Sequence, residues 1–168
     1  AKTTQLSGNY SPMSTSFSGK GCFFYTRSGE WSGGVGQNAT WYYVPSDTAG
    51  ATIQADSWVH LVLTYSQSSS LRVYVNGQWD GQGYVNFERN AAGPVRIGAR
   101  GLTANTVDYK FKGVVDEVAI YSHALTTNQA MAHYIAGLFG NDTKPIFRQQ
   151  PLSGAVLQGG SYTFSASV

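Results

Sequence analysis

The sequence is short of three things: cysteine, charge and long apolar runs. Its 168 residues include one Cys and only 12% charged residues, about half the share that is usual in soluble domains. One Cys cannot form an internal disulfide, and a net charge of +2 with scattered Lys and Arg is too small for a nucleic-acid surface. No apolar run approaches the roughly 18 residues of a membrane-spanning helix. These shortages exclude an internal disulfide framework, a basic nucleic-acid binder and a helical membrane span.

Apolar and aromatic residues are plentiful instead. The chain is 42% hydrophobic and 14% aromatic, which is enough to build a substantial core. The rest of the surface is rich in Ser, Thr, Asn, Gln and Gly, a weakly charged composition that suits extracellular β-proteins. Cys22 lies in the apolar run 21–25 without a nearby His or acid, so we expect a buried filler and not a reactive thiol.

Short apolar runs, each closed by Gly, Asn or Ser, predict antiparallel strands joined by tight turns. Asn76-Gly77 is a strong signal for a two-residue hairpin turn, because both positions of that turn need positive φ. The predicted strands are residues 21–27, 31–37, 40–44, 58–65, 71–75, 84–87, 95–99 and 111–121, with a return strand through 78–83.

A single helix is predicted, over residues 125–136. Thr126 followed by Gln129 forms a capping box, and an apolar stripe continues at helical spacing. We expect Gly137 to end the helix. The character then changes: 141–145 reads as a linker, and 146–168 reads as strands without partners. The predicted organisation is one domain over 1–140, a linker over 141–145 and an incomplete β-segment over 146–168.

Alternation along the last long strand predicts which side chains face the core. Val118 and Ile120 are expected to point inward, and Asp116 shares their face. A buried carboxylate needs hydrogen bonds or a cation, so Asp116 is either a satisfied structural acid or a Ca²⁺ ligand. We expect Trp58 to pack in the core and His60 to be a packed residue and not a metal ligand.

Four motifs resemble the laminin-G-like, concanavalin A-like jelly roll. They are Trp58-Val59-His60-Leu61-Val62-Leu63-Thr64-Tyr65, Leu71-Arg72-Val73-Tyr74-Val75-Asn76-Gly77, Val95-Arg96-Ile97-Gly98, and Gly113-Val114-Val115-Asp116-Glu117-Val118-Ala119-Ile120-Tyr121. The resemblance covers about residues 1–137 and implies an all-β antiparallel jelly-roll sandwich with one short edge helix.

The resemblance also carries expectations about the ends of the chain and about a metal. The family's opening strands are missing, so the domain looks truncated at its N-terminus. Related sandwiches hold a structural Ca²⁺ with an Asp that matches Asp116, together with groups from the opening segment. The tail around 145–151 and 159–164 resembles the start of an immunoglobulin-like repeat.

A catalytic constellation is not visible in the sequence. Sandwich glycosidases need two carboxylates beside the scissile bond, and the Glu-x-Asp-x-x-Glu string of the resembling glucanases is absent. Flat aromatic rings and amides, which stack on sugars and bind their hydroxyls, are present. The candidate ligand-binding residues are Trp31, Gln37, Asn38, Trp41, Tyr43, Trp79 and Tyr84. For Trp41 and Trp79, packing inside the protein remains the alternative.

These observations favour a non-catalytic carbohydrate-binding or adhesion module of a larger secreted protein. Its expected partners are a glycan or extracellular surface ligand and the neighbouring domains, with a structural Ca²⁺ near Asp116. The first alternative is a structural spacer without a small ligand. The second is an accessory part of a glycoside hydrolase whose catalytic residues lie outside this chain.

Overall fold

A computed structural model describes residues 1–45, 50–67, 70–103 and 105–139. The chain divides into two units, residues 1–135 and 136–168. The predicted linker at 141–145 and the segment 146–168 lie outside the described residues. No helix in the described ranges is long and apolar enough to cross a bilayer.

The described residues form ten β-strands and one α-helix. In chain order they are β1 (Lys2–Thr3), β2 (Met13–Ser14), β3 (Gly21–Arg27), β4 (Glu30–Gln37), β5 (Thr40–Val44), β6 (Leu61–Ser66), β7 (Ser70–Val75), β8 (Gln78–Gly83), β9 (Arg96–Ile97), β10 (Gly113–Val114) and α1 (Thr127–Phe139). The strands pair antiparallel in three sheets, ordered β5-β4-β3-β2-β9, β6-β7-β8 and β1-β10. The predicted all-β antiparallel class is confirmed.

The two larger sheets pack against each other and enclose the aliphatic core. We call the side of the five-stranded sheet that faces β6–β8 its inner face, and the opposite side its outer face. The buried core cluster is Trp31, Val35, Val44, Ile53, Leu71, Val73 and Val75. Because β4 and β5 alternate, Val35 and Val44 point into this cluster while their neighbours point to the outer face.

Gly33 lets the two sheets approach closely. A Cβ atom at this position would lie 2.7 Å from Val73 Cγ2 and still nearer to Leu63 Cδ1. Any larger residue would force the facing strands apart, since interiors are packed at near-crystalline density. The Gly-rich sequence of β4 is therefore explained by packing.

The hairpin between β7 and β8 turns as predicted at Asn76-Gly77. Both residues have positive φ, 51° and 74°. The Asn76 side chain also accepts a hydrogen bond from the backbone N–H of His60 at 3.0 Å. This bond ties the turn to the start of β6.

Helix α1 begins with the predicted capping box. The Thr126 N–H donates to Gln129 Oε1 at 2.9 Å, and the Gln129 N–H donates to Thr126 Oγ1 at 3.3 Å. The Tyr74 hydroxyl lies 3.2 Å from Thr127 Oγ1, so the first turn of the helix is joined to β7. The predicted end at Gly137 is wrong, because the helix continues to Phe139.

The long last strand predicted over 111–121 is wrong for most of its length. Only Gly113–Val114 pairs, with Lys2–Thr3. Glu117 has a φ of 50°, which breaks the extended backbone on which the inward and outward alternation depends. Val118 and Ile120 are consequently 40% and 65% exposed, not buried in the core as predicted.

Other strand predictions fail at their ends. Residues 84–87 form no strand, and the strand predicted over 95–99 is reduced to β9. Trp58 lies before β6, where it is 53% exposed and lies under the Lys2 ammonium at 5.6 Å. The expectation that Trp58 packs in the core is therefore wrong, since the extended pairing begins only at Leu61.

Candidate functional site

The outer face of the five-stranded sheet carries a cluster of aromatic side chains. Phe23 and Tyr25 come from β3, and Trp41 and Tyr43 come from the edge strand β5. Gly34 lies between them on β4, where a Cβ would collide with the Phe23 ring. The ring of Phe23 therefore crosses the middle strand and meets Trp41 and Tyr43 edge-on, at centroid distances of 5.1 and 5.8 Å.

The Arg100 side chain covers this aromatic cluster. Its guanidinium carbon lies 4.5 Å from the Phe23 centroid, 4.7 Å from that of Trp41 and 5.1 Å from that of Tyr109. The residue is only 4% exposed, and its Nε has no hydrogen-bond partner among the described residues. A buried cation that touches three rings is held by their π-faces, and it fixes the orientation of the Trp41 indole.

The cluster also changes the acidity of Tyr25. Burial raises the pKa of the Tyr25 hydroxyl well above its ordinary value, and its hydrogen-bonded neighbour Tyr109 raises it further. Arg100 opposes this shift by favouring the phenolate. The hydroxyl is therefore a neutral hydrogen-bonding group at physiological pH.

An open groove of about 280 Å³ runs along the edge strand beside this cluster. It lies between β5 and the segment that follows β8. We call it the aromatic groove; its lining residues are Arg27, Trp41, Tyr42, Tyr43, Val44, Gly83, Tyr84 and Val85. Three of the predicted ligand-binding residues, Trp41, Tyr43 and Tyr84, come together here.

The remaining predicted ligand-binding residues lie elsewhere. Trp31 is 3% exposed in the core, so it offers no surface to a ligand and its assignment is corrected. Trp79 is 62% exposed but does not line the groove. Gln37 is the last residue of β4 and Asn38 lies in the turn after it, where the Asn38 N–H donates to Glu88 Oε2 at 3.3 Å. They are not part of the groove lining either.

Sequence reasoning missed Arg27 as a groove residue. It ends β3 and has the same strand parity as Phe23 and Tyr25, so it lies on the outer face. Its guanidinium carbon lies 5.0 Å from the Tyr43 ring centroid. The alternation along β3 could have predicted that Arg27 lies on the outer face. It could not have predicted the groove, because the closeness of residues 83–85 to β5 depends on tertiary packing.

The described acids do not assemble a site for Ca²⁺. Asp116 is exposed and not buried as predicted, and its Oδ1 accepts the Glu117 N–H at 2.9 Å. Within the described ranges, no three His, Cys, Asp or Glu residues are placed to share a metal ion. One carboxylate is far fewer than the six to eight oxygen ligands that Ca²⁺ takes. Calcium binding stays a prediction.

Two other acids, Glu30 and Asp80, hold a loop and do not line the groove. Glu30 Oε2 accepts the Gly50 N–H at 3.1 Å, and Asp80 Oδ2 accepts the Ala51 N–H at 3.2 Å. Burial raises the pKa of the Asp80 carboxyl, and the charge of Glu30 adds to the shift. The aromatic groove itself has no acid among its described lining residues. The pair of carboxylates that glycoside hydrolysis needs is therefore not found in the groove.

Cys22 and His60 both pack against other side chains. Cys22 packs against the core cluster, and burial raises the pKa of its thiol. The ring of His60 lies 6.1 Å from that of Tyr134 in α1, and burial lowers its pKa, with the nearby charge of His133 adding to the effect. Burial therefore favours the uncharged form of both side chains.

Comparison with known families identifies the superfamily of the chain. Residues 2–130 match the laminin G model that is described as the concanavalin A-like lectin/glucanases superfamily. This match covers more than half of the chain, so the protein belongs to that superfamily, as its antiparallel sandwich also indicates. Among curated proteins, none matches this chain.

Proposed function

We propose that the protein is a non-catalytic carbohydrate-binding or adhesion module of a larger secreted protein, and that the aromatic groove is its glycan site. One observation supports this most directly. Trp41 and Tyr43 of β5 share one open groove on the sheet edge with Tyr84, which lies far from them in the sequence. Aromatic faces stack on the apolar faces of sugar rings, while backbone and side-chain polar groups bind the hydroxyls.

The open shape of the groove favours one or two rings of a polysaccharide over a small molecule that is enclosed on all sides. Its volume of about 280 Å³ is at the lower limit of enclosed ligand pockets, which hold roughly 300–1,000 Å³. It is open along β5, so a polysaccharide could lie across it with one or two rings in contact. Tyr84 is 88% exposed, so its ring would offer a stacking surface without being needed for the packing of the fold.

The chemistry of the described groove lining supports a binding role over hydrolysis. These described residues include one charged side chain, Arg27, and no Asp or Glu that could act on a glycosidic bond. The weakly charged composition supports an extracellular setting. In this proposal, the neighbouring domains of the parent protein supply any catalysis.

The test is a glycan array followed by titration of the ligands it identifies. Tyr84→Ala removes an exposed ring of the groove and should weaken binding by about 2 kcal/mol, roughly thirtyfold, with little effect on folding. Trp41→Ala should weaken binding at least as much, but it also disturbs the packing of Phe23 and Arg100.

Trp79→Ala is the matched control, because it removes an exposed aromatic ring outside the groove. Its affinity should equal that of the parent protein. Failure to bind any glycan would favour the spacer alternative. Hydrolysis of a glycan by the purified chain would contradict the non-catalytic role.

A further inference from the structure

Helix α1 is attached to the three-stranded sheet through few buried side chains. Among its described residues, Ala130 is the one that is buried, and Met131 and Tyr134 are half-buried. The turn at Gly77 packs directly against the helix: a Cβ there would lie 2.9 Å from Met131 Sδ and 3.2 Å from Tyr134 Cβ. Short helices depend on tertiary packing for their stability, so each residue in this contact matters for the attachment of α1.

His60 lies in the same contact. Its ring centroid is 6.1 Å from that of Tyr134, and its buried Nδ1 has no hydrogen-bond partner among the described residues. The backbone of His60 is fixed on the hairpin, because its N–H donates to Asn76 Oδ1 at 3.0 Å and its carbonyl accepts the Asn76 N–H at 2.8 Å. A neutral ring can carry its proton on Nε2, whereas the imidazolium must also place an N–H donor at Nδ1, where it finds no acceptor.

The charges that act on His60 oppose its protonation. Burial is the largest cause that lowers the pKa of this ring, and the charges of His133 on α1 and of the Ala1 ammonium lower it further. The Asp116 carboxylate raises the pKa of that ammonium and so favours its charged form. Tyr134, the ring beside His60 on the helix, is neutral. Within the described ranges no acid pairs with His60, so a proton on this ring meets repulsion and lost hydration without compensation.

We propose that the contact between His60 and α1 is an acid-sensitive switch, which keeps the helix on the sheet at neutral pH and releases it in mildly acidic solution. This inference goes beyond the glycan-binding function and does not depend on it. The neutral ring packs beside Tyr134, whereas the imidazolium is fully hydrated only when the helix moves away. A helix of 13 residues is marginal in water without packing, so the released helix unfolds.

The direction of the pH effect follows from the proton count of the two states. The attached state disfavours the imidazolium, so it binds fewer protons than the released state. Attachment is therefore complete above the ordinary histidine pKa of about 6.5 and weakens as the pH falls below that value. Strands β3 and β4 contain no histidine, so they serve as an internal reference.

Hydrogen exchange of the full chain at about pH 7.5 and about pH 5 tests the proposal, because these values span the histidine range. After correction for the intrinsic exchange rates, the amides of residues 130–135 should lose protection by about fivefold or more at the lower pH. The amides of β3 and β4 should keep theirs. In the same samples, the His60 ring should titrate with the midpoint at which the helix loses protection, a measurement that needs no variant.

His60→Gln keeps a polar side chain but cannot titrate, so it should abolish the pH effect on residues 130–135. His123→Gln is the matched control. It removes another imidazole near α1, one whose ring lies 6.1 Å from that of Tyr121 and forms no ring contact with the helix. This variant should keep the pH effect of the parent protein.

Three results would overturn the proposal. The first is equal protection of residues 130–135 at the two pH values. The second is a pH effect in His60→Gln as large as that of the parent protein. The third is a matching loss of protection in β3 and β4, which would show acid unfolding of the whole sandwich and not release of the helix.

Discussion

The two faces of the five-stranded sheet are stabilised in different ways. The inner face is aliphatic, with Val35 and Val44 packed on Leu71 and Val73 of the facing sheet. The outer face has no second sheet in the described chain; its aromatic rings are covered by the guanidinium of Arg100. The first face gains stability from burying area, and the second from burying rings against a cation. The aromatic cluster of the face without a sheet partner contributes Trp41 and Tyr43 to the groove, and Tyr42 reaches it from the inner-face side of β5.

The largest effect is expected in the core between the inner face and the facing sheet. Leu71 is 0% exposed, so Leu71→Ala should lower the free energy of unfolding by roughly 2–5 kcal/mol through lost burial and the cavity it leaves. Urea denaturation measures this. Ile120→Ala is the control: sequence alternation predicts a core residue there, but it is 65% exposed, and we expect a change within about 0.5 kcal/mol. Equal effects of the two variants would contradict the assignment of the core.

The outer face is tested by Arg100→Ala. Removing the buried cation and its packing should cost about 2 kcal/mol of unfolding free energy. Arg100→Met keeps much of the aliphatic volume and should cost less, so the difference between the two variants measures the packing contribution and the difference between Arg100→Met and the parent protein measures the charge contribution. If Arg100→Met is more stable than the parent protein, the desolvation cost of the guanidinium exceeds its attraction to the rings, and the comparison of the two faces fails.

Alkaline pH distinguishes the faces further. The pKa of Tyr25 is raised by burial, so the folded state holds its proton at pH values where the unfolded chain has lost it. This contribution is complete below the ordinary tyrosine pKa of about 10 and is lost as the pH rises through the folded-state pKa. The free energy of unfolding should therefore fall with pH above about 10.

Tyr25→Phe should reduce that slope, as measured by urea denaturation at several alkaline pH values. Tyr84→Phe, on an 88% exposed ring, is the matched control. An unchanged slope in Tyr25→Phe would show that the outer face is not the alkali-sensitive part of the fold.

Calcium should change the stability of the protein least, because Asp116 lies outside both faces of the five-stranded sheet. If Asp116 contributes to a Ca²⁺ site, added Ca²⁺ stabilises the protein by about 0.4 kcal/mol when its concentration equals the dissociation constant. A thermal melt with Ca²⁺ or with EDTA measures this. Asp116→Asn should remove the difference, and identical melting midpoints for the parent protein with and without the ion would leave Asp116 as an ordinary exposed acid.

Local patterns predicted the central strands well and the last strand poorly. The bounds of β3 and β5 agree with the prediction, because their alternation is closed by turn residues within the same stretch of sequence. The segment 111–121 has equally good alternation, yet Glu117 adopts a positive φ and Ile120 is exposed. Alternation describes which residues could share a face; it does not supply the neighbouring strand that covers them.

The candidate site was predictable in part for the same reason. Trp41, Tyr43 and Tyr84 were proposed from their residue types, and they line one groove. Trp31 and Trp79 have the same chemistry, but one is buried and the other lies outside the groove. The residues next to a tryptophan in the sequence do not indicate which other strand will lie beside its indole in the fold.

The sequence by itself determined the hairpin strands β3–β5 and β6–β8, the Asn76-Gly77 turn and the helix cap, because each depends on residues close together in the chain. Only the tertiary structure decided that Arg100 covers the outer face and that Arg27 and Tyr84 meet at the edge of β5. These contacts join residues that are many positions apart, and the chain brings them together only when the two sheets bury their shared core.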